Sequence, residues 1–327
     1  MKIGFRVLSN GSDVTAPIGD RLIGITVTDA SGETADTAEI EIDDRDYLVA
    51  LPAVGAVLKI AMGLGSELVE LGQFVVDEIG GTVGPDTMSI KAKSADMRAA
   101  IKSAKTRAWQ DVTLEDIVAK IAGEHGLAKQ ISDSLKSVHY TYLAQTSESD
   151  LNFLTRIARD LDATCKPAGG ALVFVKTGEG KAADGSALPV FTVHRSQMAS
   201  ASWQLTGRGK FGRVVAEWSK RGTGRVEKVT AGNDKPEHIL RTRYANQAEA
   251  QRAADAALAK SKRNSGTLSV ELGGYWGDLM AEGLIDVSGI KPELNGRWLV
   301  KTVTHRLSST LTTSFEAVRD NDAASLL

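Results

Sequence analysis

The run Gly207-Arg208-Gly209-Lys210-Phe211-Gly212 has the G-x-G-x-x-G spacing with which a strand-to-helix turn cradles a pyrophosphate. That chemistry needs a helix directly after the glycines, because its first free amides hold the anion. Arg213 to Lys220 instead alternates like a strand and stops at Gly222, so the run reads as a glycine-rich connection with its bases exposed. No cofactor is expected. The five histidines, His125, His139, His194, His238 and His305, form no H-E-x-x-H, and one cysteine cannot supply a pair, so no zinc site is supported. Cys165 has no identifiable activating base and reads as a small apolar side chain in a hairpin. There is no G-x-S-x-G elbow to expose a nucleophilic serine. Carboxylate pairs for glycoside hydrolysis come from distant positions, and nothing in the composition points to one.

Two charge patterns remain. Between Asp29 and Asp46 lie eight acids, Asp29, Glu33, Asp36, Glu39, Glu41, Asp43, Asp44 and Asp46, against the single base Arg45. In a strand, Ala38, Ile40 and Ile42 would face a core, which puts Glu39, Glu41 and Asp43 together on the opposite face. Such a face is either simply solvated or the wall of a channel. The opposite sign gathers at Arg208, Lys210, Arg213, Lys220, Arg221 and Arg225, followed by Lys228, with only Glu217 and Glu227 among them. This is either a solvated hairpin or a patch that registers a neighbouring subunit.

The elements that would carry these groups are mostly strands. Residues 1–97 read as a first β domain: Ile3, Phe5 and Val7 alternate with polar neighbours, and Leu22 to Thr28, Thr37 to Ile42, Val57 to Met62, Leu68 to Asp77 and Thr87 to Ala92 follow. It is expected to be completed by about 188–206. Residues 98–187 read as an α+β insertion. Thr113 can cap a helix over about 113–125 with Leu114, Ile117, Val118 and Ile121 as its apolar stripe. Ser147 and Asp150 have capping-box spacing for a second helix, about 148–162, and Ala163 to Val175 turns back as a hairpin at 163–176. Residues 188–327 read as a second β domain holding one Ala-rich helix, about 247–262, with Asn246 and Glu249 as its capping pair. The expected fold class is α+β, mainly β.

With 327 residues the chain can bury several cores without metal or disulfides. Its 42% hydrophobic and 24% charged residues are those of an ordinary globular protein. A formal net charge of -2 creates no field that would draw it to nucleic acid or an anionic membrane. One cysteine fits a reducing cytoplasm, and there is no apolar run long enough for a bilayer and no signal-peptide core in MKIGFRVLSNGSD. No membrane anchor is expected.

The stretch from His139 to Val175 carries a resemblance. An aromatic and Gln, then S-x-x-D-L-x-F-L-x-R-I-A-R-D-L, a G-G turn and A-L-V-F, is similar to the phage late control D family of baseplate hub proteins in contractile tails. Trp109-Gln110 before a helix, and Pro292-Glu293-Leu294-Asn295-Gly296 before Trp298-Leu299-Val300, extend the likeness over most of the chain. The resemblance implies two tube-like β-barrel domains around the insertion, and a homotrimer joining a six-fold tail tube to a three-fold spike. It implies tail tube, central spike, tape measure and baseplate wedge proteins as partners, a virion location after assembly in the host cytoplasm, and no catalysis. It also favours Glu39, Glu41 and Asp43 as the wall of a channel that DNA passes without sticking. Despite "late control", no helix-turn-helix with a basic recognition helix is present. Two other readings stand beside this one: a tail-associated peptidoglycan hydrolase, and a receptor- or carbohydrate-binding β module. The 5% aromatic content weighs against sugar platforms, and Trp203, Trp218, Trp276 and Trp298 read as core or interface.

Overall fold

A computed structural model of the chain describes residues 3–32, 34–94, 99–168, 170–180, 186–207, 210–220 and 222–320. The N-terminal part contains β1 (Ile3–Ser9), β2 (Ser12–Asp13), the short α1 (Thr15–Gly19), β3 (Leu22–Ala30), β4 (Thr37–Asp43), β5 (Val57–Leu64), β6 (Glu67–Thr82) and β7 (Thr87–Ser94). The middle contains β8 (Ala104–Thr113), α2 (Leu114–Glu124), β9 (Ala128–Ile131), α3 (Asp133–Lys136), β10 (His139–Ser149), α4 (Asp150–Asp160), β11 (Ala163–Ala168) and β12 (Ala171–Lys176). The C-terminal part contains β13 (Val190–His194), β14 (Met198–Leu205), β15 (Arg213–Ser219), β16 (Val226–Ala231), β17 (Glu237–Tyr244), α5 (Gln247–Arg263), β18 (Gly266–Leu272), β19 (Leu284–Ser288), β20 (Gly296–Leu307) and β21 (Leu311–Arg319).

Both ends of the chain contribute to one 13-stranded sheet, in the order β14-β18-β21-β20-β3-β4-β7-β6-β5-β1-β2, with β19 beside β20 and β13 beside β19. The join is β20 against β3, antiparallel, from Thr302 opposite Ala30 to Leu307 opposite Ile25. Each half encloses its own core. Val7, Ile25, Ile40, Ile60, Phe74 and Met88, from β1 and β3 to β7, meet in one cluster, so the N-terminal half is curled on itself. Val193, Leu268, Ile285, Trp298, Val303 and Phe315 form the other.

The two tube-like barrels implied by the resemblance do not appear as closed sheets: thirteen of the described strands share one open sheet, and the others form three small ones. The reason is the 12-residue length of β20, which carries β21 along one edge and, end to end on the other, β19 at Gly296 to Leu299 and β3 at Thr302 to Leu307. Residues 190–205, read from sequence as completing the first β domain, pair elsewhere: β13 lies on β19 and β14 on β18, both in the C-terminal half.

The middle segment packs around a core of its own, with Ile101, Trp109, Ile117, Ile121, Phe153, Leu154, Leu172 and Phe174 all buried. Thr113 starts α2 by accepting from Asp116 N at 3.2 Å while the Asp116 carboxylate takes the Thr113 amide, so two of the free amides at the helix start are satisfied. In α5, Asn246 accepts from Glu249 N at 2.9 Å. Ala250, Ala253 and Ala254 then let the helix lie close on the small sheet β16-β15-β17 rather than on the large one.

Candidate functional site

The large sheet presents one polar face built from both halves of the chain. Because strand side chains alternate, rows of register partners project on the same side. One row runs Ser200, Glu271, Ser314, Thr304, Thr28, Thr37 and Lys93, from β14 across β18, β21, β20, β3 and β4 to β7. The next runs Thr312, Arg306, Thr26, Glu39, Lys91 and Glu78, reaching β6. Their neighbours along the strands, such as Ile25, Val27, Ile40 and Val303, point into the cores. Apart from the bases Lys91, Lys93 and Arg306 the residues are hydroxylic or acidic, with Thr28 and Thr304 hydroxyls 3.4 Å apart across the join.

The sequence-predicted acids sit on this face. Glu39 and Glu41 are exposed, and Glu39 accepts from the Ser89 hydroxyl at 2.9 Å. Asp43, at the end of β4, is half-buried and pairs with Arg45 at 3.0 Å. The face is less acidic than the strand, because β7 brings Lys91 and Lys93 alongside. Those two lysines are engaged by Glu78 at 3.1 Å and Asp77 at 2.5 Å. Glu39 shares its row with Arg306, Glu271 lies in the other row, and Glu41 and Glu316 project from the same face in rows beside them.

Beyond β4 the chain exposes a second feature. Tyr47, Leu48, Leu51 and Val54 are 61%, 78%, 73% and 68% exposed, and Val83, at the neighbouring β6-β7 turn, is 83% exposed. The loop is nonetheless held in place. The Tyr47 hydroxyl donates to Asp86 at 2.6 Å, Arg21 makes a two-pronged bond to Asp46 at 2.7 and 2.5 Å, and Asp44 accepts from the Val49 amide at 3.4 Å. Large apolar side chains are thus held in water on a loop fixed by polar bonds.

A cluster that sequence reasoning missed lies inside the middle segment. Ser147-x-x-Asp150 is not a capping box: Ser149 caps α4, accepting from Asn152 N at 3.2 Å, and Ser147 has φ +48°. Asp150 is freed for another role. Its carboxylate is fully buried and accepts from Arg107 at 2.6 Å, Lys105 at 2.6 Å, His125 Nε2 at 2.8 Å and Gln145 at 2.9 Å. Glu124 closes the network on Lys105 and Arg107 at 2.9 and 2.8 Å. Burial pushes the Asp150 pKa up, but the bonds from Gln145, Lys105 and His125 and the Arg107 charge outweigh it and hold the group at about 2. Glu124, His125 and Asp150 lie close enough to converge on a metal ion. The donor set does not suit one, since both Asp150 oxygens already face cationic side chains. The cluster is a structural tie between β8, α2, β10 and α4.

Two residues of the basic patch are engaged in local pairs. Arg208 and Arg221 lie outside the described residues. Arg213 meets Glu237 at 3.2 Å and Lys220 meets Glu227 at 3.3 Å, within the β16-β15-β17 sheet, while Lys210 is half-buried and Arg225 exposed. The glycine motif also has a structural explanation. A Cβ at Gly212 would sit 2.5 Å from Asp234, and one at Gly232 (φ +76°) would sit 2.2 Å from the Gly212 carbonyl oxygen, so two backbone segments need the space. Cys165 is buried in the middle core, and burial raises its thiol pKa, which makes it inert. Trp298 is core and Trp203 is 47% exposed on β14.

Residues 38–311 match the model of the phage tail baseplate hub (GPD) family. The chain is 33% identical, over 95% of its length and 92% of the relative's, to the "Probable baseplate hub protein" of Escherichia phage 186. The chain belongs to the phage tail baseplate hub family. The corresponding protein of Escherichia phage P2 is 32% identical, with the same coverage of 95% and 92%. The fold of this hub chain is also that of the tail protein from Neisseria meningitidis MC58, with a TM-score of 0.75 at 13% identity, 99% of this chain and 98% of that one being covered. The mainly β architecture with few helices is therefore that of tail proteins. In this hub chain no helix among the described residues is long and apolar enough to cross a membrane.

Proposed function

We propose that three copies of this hub chain surround an axial channel and join the six-fold tail tube to the three-fold spike. The carrying observation is the single polar face shared by both halves. A face of serines, threonines and carboxylates, whose Lys91 and Lys93 are already paired with acids, offers passing DNA no apolar platform and little unpaired positive charge, which suits a wall that cargo must not stick to. Glu39 and Glu41, with Asp43 at the strand end, belong to that wall. Two curled β halves per chain give six β units in a trimer, while the chain itself repeats three times. One ring can thus meet six-fold and three-fold neighbours. The chain works by nucleating assembly, in the virion baseplate, and not by turnover.

The exposed loop at Tyr47 to Val54 lies at an end of the wall strands, where a projecting segment reaches the next ring rather than the lumen. We assign it to contact with the tube or spike protein; tape measure and wedge proteins are further partners in the same assembly. The test is native mass by light scattering over a dilution series, alone and mixed with the spike protein of the same particle. A trimer in either condition supports the reading. A monomer that stays monomeric with the spike overturns it.

A further inference from the structure

We propose that the cavity where the middle segment, α5 and the large sheet meet binds a small phosphate-type oxyanion. The cavity has a volume of about 540 Å³, in the range of small-ligand sites. Its wall is cationic: Arg159 from α4, Lys260 and Arg263 from the last turn of α5, and Lys301 from β20 line it. Among the described residues Asp162 is the acid lining it, and it is already held by both Arg263 terminal nitrogens, one of them at 2.9 Å. The positive charge left over is that of Lys260 and Lys301. Among the described residues no carboxylate comes within ion-pair distance of Lys260 or Lys301.

Lys301 is the decisive group. It is the extra residue of a β-bulge in β20, between Val300 and Thr302, so its side chain is placed off the regular register of the sheet. It is half-buried. Burial and the Arg263 and Lys260 charges pull the Lys301 pKa down, against the opposing fields of Glu282 and Asp162. Burial and the two neighbouring cations thus outweigh Glu282 and Asp162 at Lys301, a balance that an anion entering the cavity would reverse. Thr155, Thr164 and Thr177 supply hydroxyl donors to the same space. The surrounding walls come from three separately packed units, so a bound oxyanion would tie them together. The site is independent of the hub reading.

The probe is pyrophosphate, with inorganic phosphate as the weaker congener and sodium chloride at equal ionic strength as the control. Full-length protein is followed by thermal unfolding and by titration calorimetry. Pyrophosphate raises the wild-type midpoint above the chloride control. Lys301→Met keeps the packing and removes the charge, so without oxyanion it is at least as stable as wild type, and its pyrophosphate affinity falls by about tenfold or more. Lys260→Gln, at an exposed position that cannot endanger the fold, weakens binding in the same direction. Absence of a pyrophosphate-specific shift overturns the proposal, as does a shift kept in full by both variants. So does a Lys301→Met protein that is destabilised in oxyanion-free buffer, which would make the lysine structural. Tighter binding of a single-stranded oligonucleotide through the same two lysines would overturn the small-ligand assignment.

Discussion

Replacing Asp150 by Asn keeps the shape of the side chain and removes the charge on which four donors converge. The new amide turns two hydrogens toward a site where Arg107, Lys105, His125 and Gln145 already donate. Breaking a buried ion pair from one side costs about 3–5 kcal/mol. Glu124 still neutralises Lys105 and Arg107 in part, which places the loss at the low end, about 3 kcal/mol. Proton linkage gives an independent figure. The carboxyl is held at about 2 in the folded chain against 3.8 as a model group. At about 1.4 kcal/mol per unit that difference contributes about 2 kcal/mol. Since the folded pKa is the lower one, this contribution is complete above pH ~4 and is lost as the pH falls toward ~2.

Urea unfolding reports it locally. Trp109 stacks on Phe153 with ring centroids 5.9 Å apart and lies 4.5 Å from the Arg107 guanidinium carbon, inside the unit that the cluster ties together. With a slope of about 1–2 kcal/mol per molar, Asp150→Asn lowers the urea midpoint of that unit by about 2 M at pH 7. The gap between wild type and variant then closes on acidification through the window above. A loss below about 0.5 kcal/mol, the range of an indifferent surface change, would refute the reasoning. A gap that stays constant from neutral to acidic pH would refute the charge-based part of it.

Thr113→Ala removes the hydroxyl cap of α2 and destabilises the same unit by about 1 kcal/mol, read as a shift in the same urea transition. Asp162→Ala leaves Arg263, itself buried, without its carboxylate and costs about 3 kcal/mol or more by thermal unfolding. Changing Glu39, Glu41 and Asp43 together to lysine turns the proposed wall attractive to DNA: trimer and particle assembly persist while infectivity falls, and unchanged infectivity would remove these residues from the lumen. Leu48→Asp with Leu51→Asp leaves the mass of the isolated chain unchanged but abolishes its co-sedimentation with the tube or spike protein.

What was legible in the sequence is what acts over a few residues. Thr113 and Asn246 mark the starts of α2 and α5 because a cap and its amide are three positions apart. Ala38, Ile40 and Ile42 point inward, and Glu39 and Glu41 outward, because the strand period is two. The missing helix after Gly212 was equally local, and the resemblance to hub proteins rests on the same short patterns. The capping rule misled only at Ser147, where two serines lie within one turn of Asp150 and spacing does not choose between them. The rest was decided by tertiary structure. Nothing local tells β20 to pair with β3, some 276 positions away at Thr28 and Thr304, so sequence alternation allowed two barrels where one sheet forms. The gathering of Lys105, Arg107, Glu124, His125 and Gln145 around Asp150 was invisible for the same reason, as was the dilution of the acidic strand by Lys91 and Lys93. Caps and alternation are fixed by bonded geometry within a turn or a pleat, whereas a charge finds its partner only when distant strands are brought side by side.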